Sequence, residues 1–501
     1  GTQKANNQGF TTWVNESWGE SQYLGTLGNY QMVINSSTFV AGTTYVATLV
    51  ALNDFGQTTM TINVVANSNA PAGTPIVVTP APTPTPVPVD PSSPYVFPPN
   101  TTQPSVPAGQ TWVPYTLPGG TAVVDTLKSR STQPVWWPEN SLGLAYCYAK
   151  GNDPSWPVEH FVPFSVARTW DTSDESHDVP LQWARLETAP DTYNWSRLYV
   201  WIERNSGKKL VFTLGGTPTH NQLYPNTAWG YPYLTGGASA AKPGTVARFI
   251  NKMRAALIAR YGRDDIFWIF EPFNEPRVNE ADALLDSYTL DPNNSKFFRG
   301  SANDMARMAI ESYDALPRGT LLGVGAWEGK TGYTYNRNTY YKFIQALGNA
   351  GRKNVVEVIT YHPYNYGGID TWESGIFEAE KYIESISFFG LPNVQMVGST
   401  EDGAETPVRL ETYSPANRAL WVERKFVSQI AVGAKFNVFY NARSSDRGFA
   451  PEQTQMNAIM NDMHNLRGSW IYEAQVVTQN NVRKLYYSLI RPNGTQLNRI
   501  I

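Results

Sequence analysis

The strongest constraint on the fold is a repeated alternation of short apolar segments with amphipathic helical segments between about residues 140 and 440. Apolar residues recur at helical spacing over 245–261, for example, and the apolar run 266–270 follows. Such alternation predicts parallel strands joined by helices, and eight units in roughly 330 residues fit a closed (β/α)8 barrel. A doubly wound open sheet is the alternative, but no Gly-x-Gly-x-x-Gly follows the first strand. The eight predicted strands cover 142–148, 165–170, 211–216, 266–270, 321–325, 355–361, 394–397 and 436–440.

With 501 residues the chain is too long for one ordinary domain, and its composition changes along its length. Residues 1–68 are rich in β-branched residues and contain a strand, the turn Asn53-Asp54-Phe55-Gly56 and a second strand, which resembles the last hairpin of bacterial immunoglobulin-like modules. The barrel is expected over 111–465. Residues 466–501 return to alternating β patterns and predict a small hairpin that packs on another domain.

Residues 69–110 are predicted to be a Pro-rich linker. Thirteen of the 36 prolines lie between Pro71 and Pro107, and alternating prolines favour the extended polyproline II conformation. The alternative is an ordered arm lying across the larger domain, which the aromatic residues Tyr95 and Phe97 would favour.

Composition excludes several functional classes. Charged residues make up 16% and aromatic residues 13%, and the net charge is −3 without a basic run, which disfavours nucleic-acid binding. No apolar run is long enough to span a membrane. The single cysteine, Cys147, excludes an intrachain disulfide and a cysteine zinc cluster, and the five histidines contain no His-x-x-x-His pair. A zinc hydrolase is therefore not expected, and the chemistry indicated by the motifs below requires neither a metal nor an organic cofactor.

Polar residues follow several predicted strands, at the barrel rim where reactive groups are expected. The fourth strand leads into Glu271-Pro272-Phe273-Asn274-Glu275-Pro276, and the seventh leads into Gly398-Ser399-Thr400-Glu401-Asp402. Carboxylates on these two strands would face each other across the barrel mouth. This is the arrangement that glycoside hydrolysis requires, with one carboxylic acid to protonate the leaving oxygen and one carboxylate to attack the anomeric carbon.

The segment 271–276 resembles the Asn-Glu-Pro signature of clan A glycoside hydrolases, in the form found in family 39, with Phe273 where that family usually has Trp. Supporting matches are Arg168-Thr169-Trp170-Asp171, Leu186-Glu187, the run 193–198 and Leu214-Gly215-Gly216-Thr217-Pro218. The resemblance covers about residues 140–445.

The resemblance implies residue roles. Glu275 would be the acid/base and Glu401 the nucleophile of a retaining enzyme, Asn274 would bond the sugar 2-hydroxyl, and Arg168 would hold the nucleophile. His362 and Tyr364 would orient Glu401 or reach the sugar. Further substrate-binding candidates are Trp170, Asp171, His220 and Trp327. By contrast, we expect Glu271 to be a buried partner of Arg168, Trp268 to be a core residue and Asp402 to be a turn residue.

These features together predict a secreted or periplasmic, monomeric enzyme that cleaves β-glycosidic bonds of an exopolysaccharide or hemicellulose, with endo action. An exo-acting β-xylosidase-like enzyme is the alternative within the class. A catalytically silent barrel that binds carbohydrate is the alternative from another class.

Overall fold

A computed structural model describes the chain in segments, and the chain divides into two compact units, residues 1–89 with 348–352 and residues 90–347 with 353–501. Within residues 1–89 only strand segments are described: Thr2–Ala5, Thr11–Val14, Gln31–Met32, Thr44–Asn53, Gly56–Val65 and Ile76–Val77. In the rest of the chain the described residues are 95, 105–106, 111–127, 134–145, 164–169, 181–224, 239–276, 298–328, 334–363, 372–402, 415–439 and 461–501.

The second unit contains a closed barrel of eight parallel strands, as the alternation predicted. The strands are β1 (Leu142–Ala145), β2 (Val166–Arg168), β3 (Lys209–Thr213), β4 (Ile269–Glu271), β5 (Leu321–Glu328), β6 (Val358–His362), β7 (Met396–Asp402) and β8 (Asn437–Phe439). Each strand pairs with its neighbours in the sequence, and β8 pairs with β1, where Asn437 is opposite Leu142. The open-sheet alternative is therefore wrong.

Among the described residues, helices follow each strand from β2 to β7, and residues 461–466 after β8 are also helical. After β2 come the one-turn α1 (Trp183–Leu186) and α2 (Ser196–Arg204); the later strands are followed by α3 (Thr245–Tyr261), α4 (Ala302–Ala315), α5 (Thr334–Asn349), α6 (Ser374–Phe389) and α7 (Pro415–Val432). Ser301 is the N-cap of α4 and forms a capping box, in which its hydroxyl accepts from the Asp304 amide and the Asp304 carboxylate accepts from the Ser301 amide. None of the described helices is both long and apolar enough to cross a membrane.

The barrel interior is filled by large apolar side chains. Val166, Val211, Ile269, Val358, Phe436 and Val438 are fully buried and form one cluster, against which Trp268 packs, as expected for a core residue. Gly398 leaves room for this packing, because a Cβ there would lie 2.4 Å from the ring of Phe436. A filled interior confines any ligand site to an end of the barrel.

The C-terminal strands belong to a larger sheet than the predicted hairpin. Strands Trp470–Gln479 and Val482–Ile490 pair antiparallel as expected, and Gln496–Ile500 extends the sheet at one side. On the other side, Thr121–Thr126 and Val135–Trp136 both pair with Trp470–Gln479. The sheet contacts the barrel through α7, where Glu423 accepts hydrogen bonds from Tyr487 and Arg499.

Tyr95, within the predicted linker, and Trp112, just after it, make contacts with the rest of the second unit. Tyr95 is 2% exposed, donates to the carbonyl of Lys208 and meets the ring of Tyr261 edge-on. Further along, Trp112 stacks on Tyr472. The contacts of Tyr95 agree with the ordered-arm alternative at this one residue, whereas Phe97 lies outside the described residues, and the linker over 69–110 stays a prediction.

In the first unit, Thr44–Asn53 pairs antiparallel with Gly56–Val65, which forms the predicted hairpin. Residues 54 and 55 of the expected turn lie outside the described residues. The immunoglobulin-like assignment stays a prediction.

Candidate active site

Arg168, the last residue of β2, connects the polar groups at the carboxyl ends of three strands. It is fully buried, and its Nε donates to Glu271 Oε2 at 2.8 Å, its Nη1 to Glu401 Oε1 at 2.5 Å and its Nη2 to Asn274 Oδ1 at 2.8 Å. A planar guanidinium can serve several acceptors at once, which an ammonium cannot do with the same geometry. The predicted proximity of Arg168, Glu401, Asn274 and Glu271 is therefore found in the structure.

Glu271 is fully buried, and its carboxylate accepts hydrogen bonds from several side chains. Besides Arg168, Thr213 Oγ1 donates to Oε2 at 2.5 Å and Thr400 Oγ1 donates to Oε1 at 2.9 Å. Burial alone would raise the pKa of this carboxyl, but the Arg168 charge and the hydroxyl donors outweigh burial and hold the pKa below its ordinary value. Glu271 is thus an ionised partner of Arg168, as the sequence indicated.

The two predicted catalytic carboxylates, Glu275 and Glu401, meet beside His362 at the end of β6. His362 Nδ1 lies 2.8 Å from Glu275 Oε1 and 3.6 Å from Glu401 Oε2. One oxygen of each carboxylate and one nitrogen of the imidazole all lie within 4.8 Å of one another. Glu275 is 7% exposed and Glu401 is 3% exposed, so their charges are poorly screened by water.

His362 is uncharged near neutral pH. Burial, together with the positive charge of Arg168, lowers its pKa to about 4, although the carboxylates of Glu401 and Glu271 act in the opposite direction. Its Nε2 lies 3.2 Å from Thr400 Oγ1. The imidazole is therefore held at both nitrogens between two strands.

Two features of the segment after β4 are typical of a functional site. Glu275 has a φ of 39°, in the left-handed region that non-glycine residues rarely adopt, and such strain costs of order 1–3 kcal/mol. Asn274 is 1% exposed, and its Nδ2 has no acceptor among the described residues. A buried amide donor without an acceptor is costly, so a ligand oxygen would satisfy it.

Asp402, next to Glu401, is a buried strand residue and not the expected turn residue. Its Oδ1 lies 2.6 Å from Lys425 Nζ, and its Oδ2 accepts from Gln429 Nε2 at 2.6 Å. Lys425 and Gln429 are fully buried on α7, and Lys425 also donates to the carbonyl of Pro363. These contacts fix the end of β7, and with it the backbone that carries Glu401.

The trio Glu275, His362 and Glu401 is close enough to offer three ligand atoms to a metal ion. The Arg168 guanidinium, however, is bonded to Glu401 at 2.5 Å and would repel a divalent cation at that carboxylate. The arrangement fits an organic ligand with hydroxyl groups better than a metal.

Trp327, a predicted sugar contact, is buried among other aromatic side chains. Trp327 is 1% exposed and packs against the rings of Phe273, Tyr340 and Phe343. Because its ring is covered by other aromatic side chains, it cannot stack on a sugar. Phe273 is part of the same buried cluster.

For the remaining predicted substrate contacts, no described hydrogen bond connects the side chain to Glu275, Glu401 or Arg168. His220 Nε2 lies 3.2 Å from Glu187 Oε1, in a group in which Asn221 and Arg248 also donate to Glu187. Substrate binding by His220 remains a prediction. Trp170, Asp171 and Tyr364 lie outside the described residues.

Sequence reasoning missed the hydroxyl and helix residues that support the site. Thr213 and Thr400 bond to Glu271, and Lys425 bonds to Asp402. Thr213 is the last residue of β3 and Thr400 directly precedes Glu401 near the end of β7, and these positions are the one signal in the sequence. Lys425 lies within a helix and has no such signal.

The chain was also compared with known proteins. No family model matches it, and no curated protein matches it significantly. Among solved structures it is similar to an endo-1,4-β-D-mannanase from Thermotoga petrophila RKU-1, at 13% identity and a TM-score of 0.41, over 64% of this chain and 99% of that one. It is similar to the catalytic domain of GH30 xylanase C from Talaromyces cellulolyticus, at 10% identity and a TM-score of 0.39, over 74% and 84%.

A third similar structure is the intracellular xylanase TsXylA from Thermoanaerobacterium saccharolyticum, at 12% identity and a TM-score of 0.40, over 61% of this chain and 86% of that one. These likenesses are too distant to bear on activity. The function must therefore be inferred from the site itself.

Proposed function

We propose that the protein is a retaining glycoside hydrolase that cleaves β-glycosidic bonds by double displacement. The observation that carries the proposal is the pair of buried carboxylates at the barrel rim, Glu275 and Glu401, with oxygens within 4.8 Å of each other. Retaining enzymes have their two carboxyl groups about 5–5.5 Å apart, whereas inverting enzymes leave room for a water at about 6.5–9.5 Å. The close approach favours direct attack by one carboxylate.

The surroundings favour Glu401 as the nucleophile. The Arg168 guanidinium bonded to Glu401 stabilises its ionised form. Arg168 also pairs with the ionised Glu271, so two carboxylates share one cation. A third negative charge at Glu275, close to Glu401, would be unfavourable, which supports a protonated Glu275 as the acid.

In the first step, Glu401 would attack the anomeric carbon while Glu275 protonates the leaving glycosidic oxygen. In the second step, Glu275 would take a proton from water, which displaces Glu401 from the sugar. The open Nδ2 of Asn274 would donate to the sugar 2-hydroxyl, a contact that strengthens as charge develops at the anomeric carbon.

The substrate we propose is a polysaccharide of the exopolysaccharide or hemicellulose class, cleaved internally. The proposal rests on the Pro-rich segment and the β-rich region that precede the barrel, an arrangement typical of enzymes that act on extracellular polymers. It also implies a secreted or periplasmic enzyme. The resemblance to family 39 makes exo-acting β-xylosidase activity the alternative, and product profiles separate the two, because endo action releases mixed oligosaccharides and exo action releases one small product.

The test is a panel of β-linked xylans, mannans, glucans and bacterial exopolysaccharides, treated with the parent, Glu275→Gln and Glu401→Gln. On the polymer that is cleaved, Glu275→Gln should lose about 10²–10⁴-fold in kcat, the usual contribution of general acid–base catalysis. Glu401→Gln should lose at least as much. The matched control is Glu203→Gln, which removes a carboxylate that pairs with Arg260 on the outside of the barrel and should retain full activity.

Proton NMR of the first-formed anomer tests the mechanism, and net inversion would refute double displacement. Equal cleavage by the parent and both site variants would refute the residue assignment. Binding of a panel polymer without cleavage would instead support the silent carbohydrate-binding barrel.

A further inference from the structure

His362 connects the proposed acid to a second, fully buried carboxylate through one hydroxyl group. Its Nδ1 lies 2.8 Å from Glu275 Oε1, and its Nε2 lies 3.2 Å from Thr400 Oγ1. Thr400 Oγ1 in turn lies 2.9 Å from Glu271 Oε1. The four side chains form a continuous hydrogen-bonded chain across β4, β6 and β7.

The direction of each hydrogen bond in this chain follows from the ionised state of Glu271. An ionised carboxylate only accepts, so the single hydroxyl hydrogen of Thr400 is directed to Glu271. The hydroxyl oxygen can then only accept from His362, which requires the imidazole hydrogen to be on Nε2. A neutral imidazole carries one N–H, so Nδ1 is an acceptor, and the hydrogen between Nδ1 and Glu275 must belong to Glu275.

We propose that Thr400 is a positioning residue that fixes the tautomer of His362 and thereby keeps the catalytic proton on Glu275. This inference rests on the proposed function, since it assumes that Glu275 is the acid. Thr400 itself touches no reacting atom and acts through His362. The low pKa of His362, about 4, is consistent with a neutral ring that has a fixed tautomer.

The same arrangement would serve both reaction steps. In the first, the proton moves from Glu275 Oε1 to the glycosidic oxygen, which leaves with the electron pair of the broken bond while a Glu401 oxygen bonds the anomeric carbon. Ionised Glu275 then faces the lone pair of His362 Nδ1. This repulsion destabilises the ionised carboxylate and makes Glu275 a stronger base. In the second step, water gives a proton to Glu275 as its oxygen displaces Glu401, and the starting hydrogen bond re-forms.

The other titratable groups around His362 would remain when the Thr400 hydroxyl is removed. The charged ones are Glu271 on β4, Arg168 on β2 and Glu401 on β7, and the protonated one is Glu275 just after β4. The matched variants are therefore Thr400→Val, which keeps the shape but removes the hydroxyl, and Thr400→Ser, which keeps the hydroxyl. In Thr400→Val, His362 Nε2 loses its acceptor, and the hydrogen should move to Nδ1, where it can donate to an ionised Glu275.

The first test is long-range ¹H–¹⁵N NMR of the full chain labelled with ¹⁵N-histidine, with the His362 signal assigned by substituting the other four histidines one at a time. The parent and Thr400→Ser should carry the hydrogen on Nε2, and Thr400→Val should carry it on Nδ1. A parent with the hydrogen on Nδ1 would overturn the proposal without need of any variant. An unchanged tautomer in a folded Thr400→Val would overturn it as well.

The second test is the pH dependence of kcat/KM, measured on the phenyl glycoside of the sugar that the panel selects. The alkaline limb of Thr400→Val should begin at lower pH, and activity at a fixed alkaline pH should fall about tenfold for each pH unit by which the limb moves. Thr400→Ser should restore the parental profile. The 2,4-dinitrophenyl glycoside, whose leaving group needs little protonation, should be cleaved at the parental rate.

Equal losses by Thr400→Val on both aryl glycosides would indicate a purely structural role and overturn the proposal. Failure of the proposed function is a separate outcome, because it would appear as full activity of Glu275→Gln whatever the tautomer of His362.

Discussion

Replacing Arg168 by methionine should reverse the pH dependence of stability. The guanidinium is fully buried and bonded to Glu271, Glu401 and Asn274. Removing one partner of a buried ion pair costs about 3–5 kcal/mol, since the remaining charge is left uncompensated. At pH 7 we therefore expect the free energy of unfolding to fall by at least this amount.

The sign of the pH effect follows from Glu271. In the parent its pKa is lowered, so its contribution to stability is present above the unfolded-state pKa of about 4.3 and is lost as pH falls through the folded-state value. Without Arg168, burial raises the pKa instead, so the contribution is present at low pH and is lost as pH rises. Between pH 4 and 7 the free energy of unfolding of the variant, compared with that of the parent, should therefore increase as pH is lowered.

Urea denaturation at a series of pH values, followed by tryptophan fluorescence, measures this effect. The matched control is Arg260→Met, which removes a surface ion pair with Glu203 and should cost no more than about 1 kcal/mol, with little dependence on pH. A loss below 1 kcal/mol for Arg168→Met, or a parental pH dependence, would refute the reasoning.

Three further changes should have distinct effects. Lys425→Met leaves buried Asp402 without its cation, so it should cost about 3–5 kcal/mol in urea denaturation, whereas a neutral result would mean that Asp402 takes up a proton at little cost. Tyr95→Phe removes the hydrogen bond to the Lys208 carbonyl and should lower the free energy of unfolding by about 0.5–1.5 kcal/mol, while an unchanged value would show that water replaces the bond. His362 has a depressed pKa, so its contribution to the free energy of unfolding is present above about pH 6.5 and is lost as pH falls towards 4. His362→Gln should therefore flatten the plot of stability against pH in this range, and an unaltered slope would contradict the prediction.

The barrel could be predicted from the sequence because its signals are local. Each strand is a short apolar run next to an amphipathic helix, and α3 has the predicted bounds Thr245–Tyr261. The proximity of Arg168, Glu275 and Glu401 follows from their places at the carboxyl ends of parallel strands, which meet at one rim.

What could not be predicted depends on contacts between distant parts of the chain. Nothing local indicates that Thr121–Thr126 pairs with Trp470–Gln479. Trp327 stands at a strand end, as a sugar contact would, and only the packing of Phe273 and Phe343 shows that it is buried. The role of Thr400 likewise depends on which neighbours its hydroxyl reaches.

The sheet that unites Thr121–Thr126 with Trp470–Gln479 also sets the order of events during synthesis. The second strand is made roughly 340 residues after the first, which at ribosomal speed is about 20–70 s. During that interval Thr121–Thr126, with its valines 123 and 124, has no partner strand and is a ready template for wrong pairing. The nascent chain therefore benefits from protection of this segment, by a chaperone or by a transient contact, until Trp470–Gln479 has been made.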